Sequence, residues 1–136
     1  MRKLYRKIKS FLYTRRVRKR CVTCGSNLHV NSPSSINGRV SLGNNVNFNG
    51  ISIRGVGECV IGDNFHSGIN CAILTSNHNY NGSKIPYDEQ MIPKKVIIED
   101  QVWIGDNVMI LGGQNLERAA SYRQDLLLWA KYPQWI

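Results

Sequence analysis

Apolar residues recur every six positions through the middle of this chain. In the stretch I-E-D-Q-V-W-I-G-D-N-V-M-I, Ile98, Ile104 and Ile110 stand six apart, and Val102 and Val108 each precede the next isoleucine by two. Strand alternation has a period of about 2 residues and a helix about 3.6, so neither alone yields six. A six-residue period fits a coil of short strands joined by tight turns, a hexapeptide solenoid of the parallel β-helix type. The pattern recurs upstream. Leu42-Gly43-Asn44-Asn45-Val46 has Phe48 six past Leu42, and Ile61-Gly62-Asp63-Asn64-Phe65 has Ser67 and Ile73 six and twelve past Ile61. Asn-Gly at 37–38, 49–50 and 81–82 marks turns, because both residues tolerate positive φ. Arg54-Gly55-Val56-Gly57-Glu58 breaks the register, as a loop at a coil corner would.

Three segments depart from the six-residue pattern. Residues 1–20 place Leu4, Ile8, Phe11 and Leu12 at helical spacing among Lys and Arg, which predicts a short basic amphipathic helix. Residues 76–95 have no periodicity and carry Pro86 and Pro93. A loop near twenty residues inside so regular a coil is more often functional than not. Residues 114–136 contain no glycine and shift towards Leu, Arg, Gln, Ala and Trp, so the solenoid is expected to end after Gly113. The expected organisation is a basic arm over 1–24, an all-β solenoid over 25–113 with an excursion loop over 76–95, and an atypical tail over 114–136.

Charge sharpens the first segment. The 136-residue chain has a net charge of +9, yet residues 1–20 hold ten Lys/Arg and no acid, while the remainder holds eight Lys/Arg against nine Asp/Glu. The basicity therefore belongs to an arm and not to the fold. Such an arm suits an anionic membrane surface; contact with nucleic acid phosphates and docking on the chain's own solenoid are the other readings. No RNA- or DNA-binding motif accompanies it, so no nucleic acid is expected. The chain has no apolar run approaching the ~18 residues of a membrane span and no secretory h-region, which sets the expectation of a cytoplasmic protein, peripheral at the inner membrane face. Cys21 and Cys24 form a CxxC, but no second Cys/His pair follows at finger spacing, so zinc is not expected.

On IGDNFHSGINCAILTSNH (61–78) and VIIEDQVWIGDNVMILGG (96–113), joined by a loop opening with HNY, the chain resembles the hexapeptide-repeat acyltransferases. It is most similar to the sugar O-acetyltransferase branch that includes galactoside and maltose acetyltransferases and the O-acetyltransferases of surface polysaccharides. The resemblance implies a single-stranded left-handed parallel β-helix, a homotrimer, and acetyl-CoA bound between neighbouring subunits. It also implies a sugar or glycan acceptor and His78 as catalytic base. Acetyl transfer to a hydroxyl needs a proton acceptor, and a neutral imidazole with an ordinary pKa of about 6.5 suits that role. Asn47 resembles an acceptor-contacting asparagine, with a plain turn residue as the other reading. Trp103 matches a tryptophan near the family's cleft, with outward packing against a neighbour as the other reading. Tyr80 and Tyr87 either line the acceptor pocket or anchor the loop. His66 is expected as a solvent or interface residue, with a second catalytic group as the other reading, and the spacing of His29, His66 and His78 discounts a metal site.

The tail admits an explanation at the level of codons. If one base is missing just after the Gly113 codon, the other frame permits K-F-G-A-G-S-I-I-S-A-G-S-V-V from position 115, which is hexapeptide sequence. The expectation is an acetyltransferase truncated by a frameshift, with loss of C-terminal coils leaving the activity of this chain open. A non-catalytic truncated product or a β-helix scaffold is the competing function, and a nucleic-acid binder through the arm a weaker one.

Overall fold

The computed structural model describes residues 1–122 and the backbone of Leu127–Leu128. The chain begins with helix α1 (Arg2–Arg20) and then winds into coils. The first coil holds β1 (Thr23–Cys24) and β2 (His29–Val30). The second holds β3 (Val40–Leu42), β4 (Asn47–Phe48) and β5 (Ile51–Arg54), and the third β6 (Cys59–Ile61), β7 (His66–Ser67) and β8 (Cys71–Leu74). A hairpin of β9 (Ser76–His78) and β10 (Met91–Pro93) then leaves the solenoid. The fourth coil returns with β11 (Val96–Ile98), β12 (Trp103–Ile104) and β13 (Met109–Ile110). A fifth follows with β14 (Asn115–Leu116), β15 (Ser121–Tyr122) and β16 (Leu127–Leu128).

Corresponding strands stack in parallel across coils. One sheet is β1-β3-β6-β11-β14, the second β2-β4-β7-β12-β15, and the third β5-β8-β13-β16. Leu42 pairs with Ile61, Ile61 with Ile98 and Ile98 with Leu116, so the isoleucines of the six-residue pattern form a continuous inward column. Ile104 and Ile110 are fully buried in the other two sheets, as are the valines two residues before them. The core is dry and aliphatic, with Phe48 and Phe65 packed edge-to-face at 6.0 Å. Ser67 is buried level with Ile104, where its Oγ accepts a hydrogen bond from Asn49 N at 3.2 Å.

The G-[DN]-N element has a physical reason. Asn44 Oδ1 accepts from Ser26 N at 2.9 Å, Asp63 Oδ1 from Asn44 N at 2.7 Å, and Asp100 Oδ1 from Asp63 N at 2.7 Å. Each turn residue thus closes the turn of the coil before it. The carboxyl or amide oxygen reaches that amide by passing over a glycine, and a Cβ on Gly43 or Gly62 would overlap it. The following residue adopts positive φ, as in Asn45 (φ 56), Asn64 (φ 56) and Asn107 (φ 55), where asparagine is the best tolerated non-glycine residue.

Two boundaries move. The solenoid begins at Thr23 instead of 25, because β1 already pairs with β3. The expected halt after Gly113 does not occur. Leu116 is 1% exposed and Tyr122 packs on the core, because both keep the six-residue spacing counted from Ile110. The missing turn motif is replaced locally: Arg118 N donates to Glu99 Oε2 at 3.0 Å, and Ala119 takes φ 58 where the coils before it use Gln101, Asn64 and Asn45.

At the other end α1 covers the first coil. Val17 is 1% exposed against the core, and Thr14 Oγ1 accepts from Val30 N at 2.9 Å. A solenoid needs such a cover, since its terminal coil otherwise presents core and unpaired strand edges to water.

Candidate functional site

The hairpin β9–β10 is the only antiparallel pairing among the described residues, with His78 opposite Met91. It interrupts the third sheet's return to the first, so its tip is free of the stacking that fixes every other strand. Asn79 braces the hairpin. Its N–H donates to Gln90 O at 3.0 Å, its Nδ2 to Asp88 Oδ2 at 3.0 Å, and its carbonyl accepts from Asp88 N at 3.1 Å. Asp88 Oδ1 also accepts from Gln90 N at 2.8 Å.

Within this frame the His78 ring stacks on Tyr87, with centroids 3.9 Å apart and planes at 23°. Both line a cavity of about 900 Å³ together with Tyr80, Asn77, Lys94 and Gly112. The cavity runs from the hairpin to the corner after β13. Three of the expected site residues, His78, Tyr80 and Tyr87, thus come together. Asp88 and Glu89 do not orient the imidazole: Asp88 is spent on Asn79 and Gln90, and Glu89 lies 3.5 Å from Lys84 Nζ. Among the described residues no side chain hydrogen-bonds to the His78 ring, which leaves both nitrogens facing the cavity or solvent.

Asn47 and Trp103 lie elsewhere in the chain. They belong to an outward row on the second sheet, where His29, Asn47, His66, Trp103 and Ser121 follow one another in register. Trp103 is 52% exposed. Beside it a second cavity, of about 620 Å³, is lined by Asn49, His66, Ile69, Ser121 and Tyr122. Asn49 Nδ2 sits 3.1 Å from His66 Nε2 and donates to it when the ring proton is on Nδ1. Six-residue counting does not reveal this row. Counting whole coils does, because partners in the stacked turns are mostly 18 or 19 residues apart. Lys94 was likewise invisible beforehand, since only the hairpin's closure brings it beside Gly112.

Burial raises the pKa of the Cys21, Cys59 and Cys71 thiols. Burial pushes Cys59 up to about 12, and burial together with neighbouring Cys24 does the same to Cys21. Cys21 Sγ donates to Val17 O at 3.2 Å, within the last turn and cap of α1. Among the described residues no three His, Cys, Asp or Glu side chains stand together as a metal site would require.

Known structures share this fold. A hexapeptide-repeat-containing acetyltransferase from Vibrio cholerae O1 biovar eltor, solved with acetyl coenzyme A, is 23% identical with a TM-score of 0.63, over 81% of this chain and 67% of that one. A variant of AntD, an N-acyltransferase from Bacillus cereus solved with dTDP and coenzyme A, is 17% identical with a TM-score of 0.57, over 83% and 76% of the two chains. A second AntD variant is 16% identical with a TM-score of 0.52. No family model and no curated relative matches the chain. At these identities the likeness establishes a shared solenoid fold.

Proposed function

We propose that this chain is built as an acetyl-CoA-dependent O-acetyltransferase acting on a sugar or surface-polysaccharide hydroxyl, with His78 as general base. The observation that carries the reading is His78 stacked on Tyr87 at a cavity of about 900 Å³, on a hairpin inserted between coils. The neutral imidazole takes the hydroxyl proton as the oxygen attacks the thioester carbonyl. The tetrahedral intermediate collapses to the acetyl ester, and the coenzyme leaves as the thiol once it regains a proton. Tyr80 and Tyr87 offer the flat apolar faces on which a sugar ring packs. The complexes of the Vibrio protein with acetyl coenzyme A and of AntD with coenzyme A support a coenzyme A thioester as acyl donor for this fold.

The reading includes a left-handed coil and a homotrimer. Trp103 and Ile69 are exposed apolar side chains on one outer face, which suits a subunit contact. In a trimer this face, with Asn47, would meet a neighbour's His78 hairpin and complete the site. A right-handed coil in an experimentally phased structure would remove the family resemblance. A monomer by light scattering at working concentration would remove the shared site.

The decisive measurement is release of free coenzyme A thiol from acetyl-CoA with a panel of sugars. In the frame-restored chain, His78→Ala should lower turnover by ~10²–10⁴-fold. Wild-type turnover in that variant rejects His78 as base. Transfer to amino sugars alone rejects the hydroxyl as acceptor, and failure to bind acetyl-CoA favours a non-catalytic scaffold.

The same reading takes residues 114–136 as out of frame. Support comes from position 119, where the backbone holds φ 58 and the other frame permits glycine in place of Ala119. The gene's base sequence after the Gly113 codon tests this: no hexad continuation one base away would sink it.

A further inference from the structure

We propose that the outward face of α1 lies in the interfacial layer of an anionic membrane. Docking on the solenoid uses one stripe of the helix: Ser10, Tyr13, Thr14 and Val17 are its only residues withdrawn from solvent. Over residues 4–12 the opposite stripe is apolar and bare, and Arg15 and Lys19 continue it towards the helix C-terminus by helical count. Leu4, Ile8, Phe11 and Leu12 are 63%, 51%, 64% and 53% exposed. The two stripes face apart by construction. Leu4 and Tyr13, and Ile8 and Val17, stand nine residues apart, which is about two and a half turns at ~3.6 residues per turn. The solenoid therefore cannot cover the second stripe while it holds the first.

An exposed apolar stripe of this length on a docked helix is not a solubility device. Its flanks say what it meets. The helix carries ten Lys/Arg and no acidic residue. Lys7 and Arg18 border the stripe on one side and Lys9 and Arg16 on the other, by the same helical count. An apolar stripe between two basic margins is the pattern of a helix lying in the plane of the headgroups, roughly 5–10 Å deep, with Lys and Arg reaching anionic lipid. Tyr5, at 60% exposure on the same side, has the amphipathic ring that favours that layer. A second copy of this helix would bring like charges together across the stripe. A nucleic acid would use the basic margins and leave the stripe in water. No helix among the described residues is long and apolar enough to cross a membrane, so the contact is in-plane.

The test is flotation of the full chain with vesicles of phosphatidylcholine alone and of phosphatidylcholine with about one third phosphatidylglycerol. The comparison variant is L4S/I8S/F11S, which keeps every basic residue and alters only exposed positions; Ile8→Asp serves as a second variant. Expected is flotation of the wild type with the anionic vesicles, falling at least about tenfold on neutral vesicles and about tenfold again in the triple variant, with unchanged circular dichroism. Equal flotation of the triple variant overturns the proposal, because charge alone would then suffice. Absence of wild-type flotation overturns it as well. So does release from anionic vesicles by duplex RNA at matched phosphate concentration, or a change in molar mass of the variant by light scattering, which would place a second copy on the stripe. None of these readouts depends on acyl transfer, so failure of the arm and failure of the His78 reading are distinguishable.

Discussion

At the scale of single residues, the solenoid is coupled from coil to coil through side chains that replace water at turn amides. Asp63 and Asp100 act on the turn before them, and the glycine they cross must lack a Cβ. Ala119 departs from the turns stacked before it, which hold the polar residues Asn45, Asn64 and Gln101 at positive φ. The left-handed region costs an alanine about 1–2 kcal/mol. Ala119→Gly should therefore raise the urea midpoint by an amount worth about 1 kcal/mol, after the extra chain entropy of glycine is subtracted. A midpoint that stays level or falls would show that the fifth coil does not hold residue 119 in this turn. The sequence contained this information in part. Leu116 and Tyr122 continue the count from Ile110, but the absence of glycine masked it, because the turn signal and the core signal are separate physical requirements.

Among the elements, the hairpin stands apart from the coils. Its strands pair only with each other, and its tip is held by Asn79, Asp88 and Gln90 with one exposed ion pair, Lys84–Glu89 at 3.5 Å. An exposed pair of this kind contributes little, so the Asp88 carboxylate is the main brace. Asp88→Ala should speed proteolytic cleavage within residues 79–90 severalfold while leaving the melting temperature of the solenoid unchanged to within a few degrees. Unaltered cleavage would mean that packing of Tyr87 on His78, and not Asp88, sets the loop. The sequence pointed to a functional excursion and to His78 at its opening. It did not give the Asp88 brace, because the partners of a carboxylate in an aperiodic loop depend on how the loop folds back.

For the whole molecule, stability rests on an aliphatic column closed at its N-terminal end by α1, with few charges buried. Cys59 lies in that column, and burial raises its thiol from 9.0 to about 12. The sign follows from proton counts. Between the two values the folded chain keeps a proton that the unfolded chain loses, so this contribution is intact below the unfolded pKa and is lost as pH rises towards the folded one. The urea midpoint should fall between about pH 9 and about pH 12, and Cys59→Ala should flatten that fall while lowering the midpoint at neutral pH. An equal alkaline slope in both proteins would assign the effect to Cys21, Cys71 or Tyr122, whose pKa values are also raised.

The amino-acid sequence by itself determined the solenoid, because a six-residue period is a local property: each inward residue and each turn is written within a few positions of its partner. It determined the presence of a basic amphipathic helix for the same reason. The tertiary structure alone decided what meets across coils. Asn47, His66 and Trp103 share a row only because whole coils stack, and His78 lies apart from that row because its hairpin leaves the stack. It also decided which face of α1 is free. The hydrophobic pattern marked Leu4, Ile8, Phe11 and Leu12 as one stripe, but only docking through Val17 shows that this stripe points away from the core.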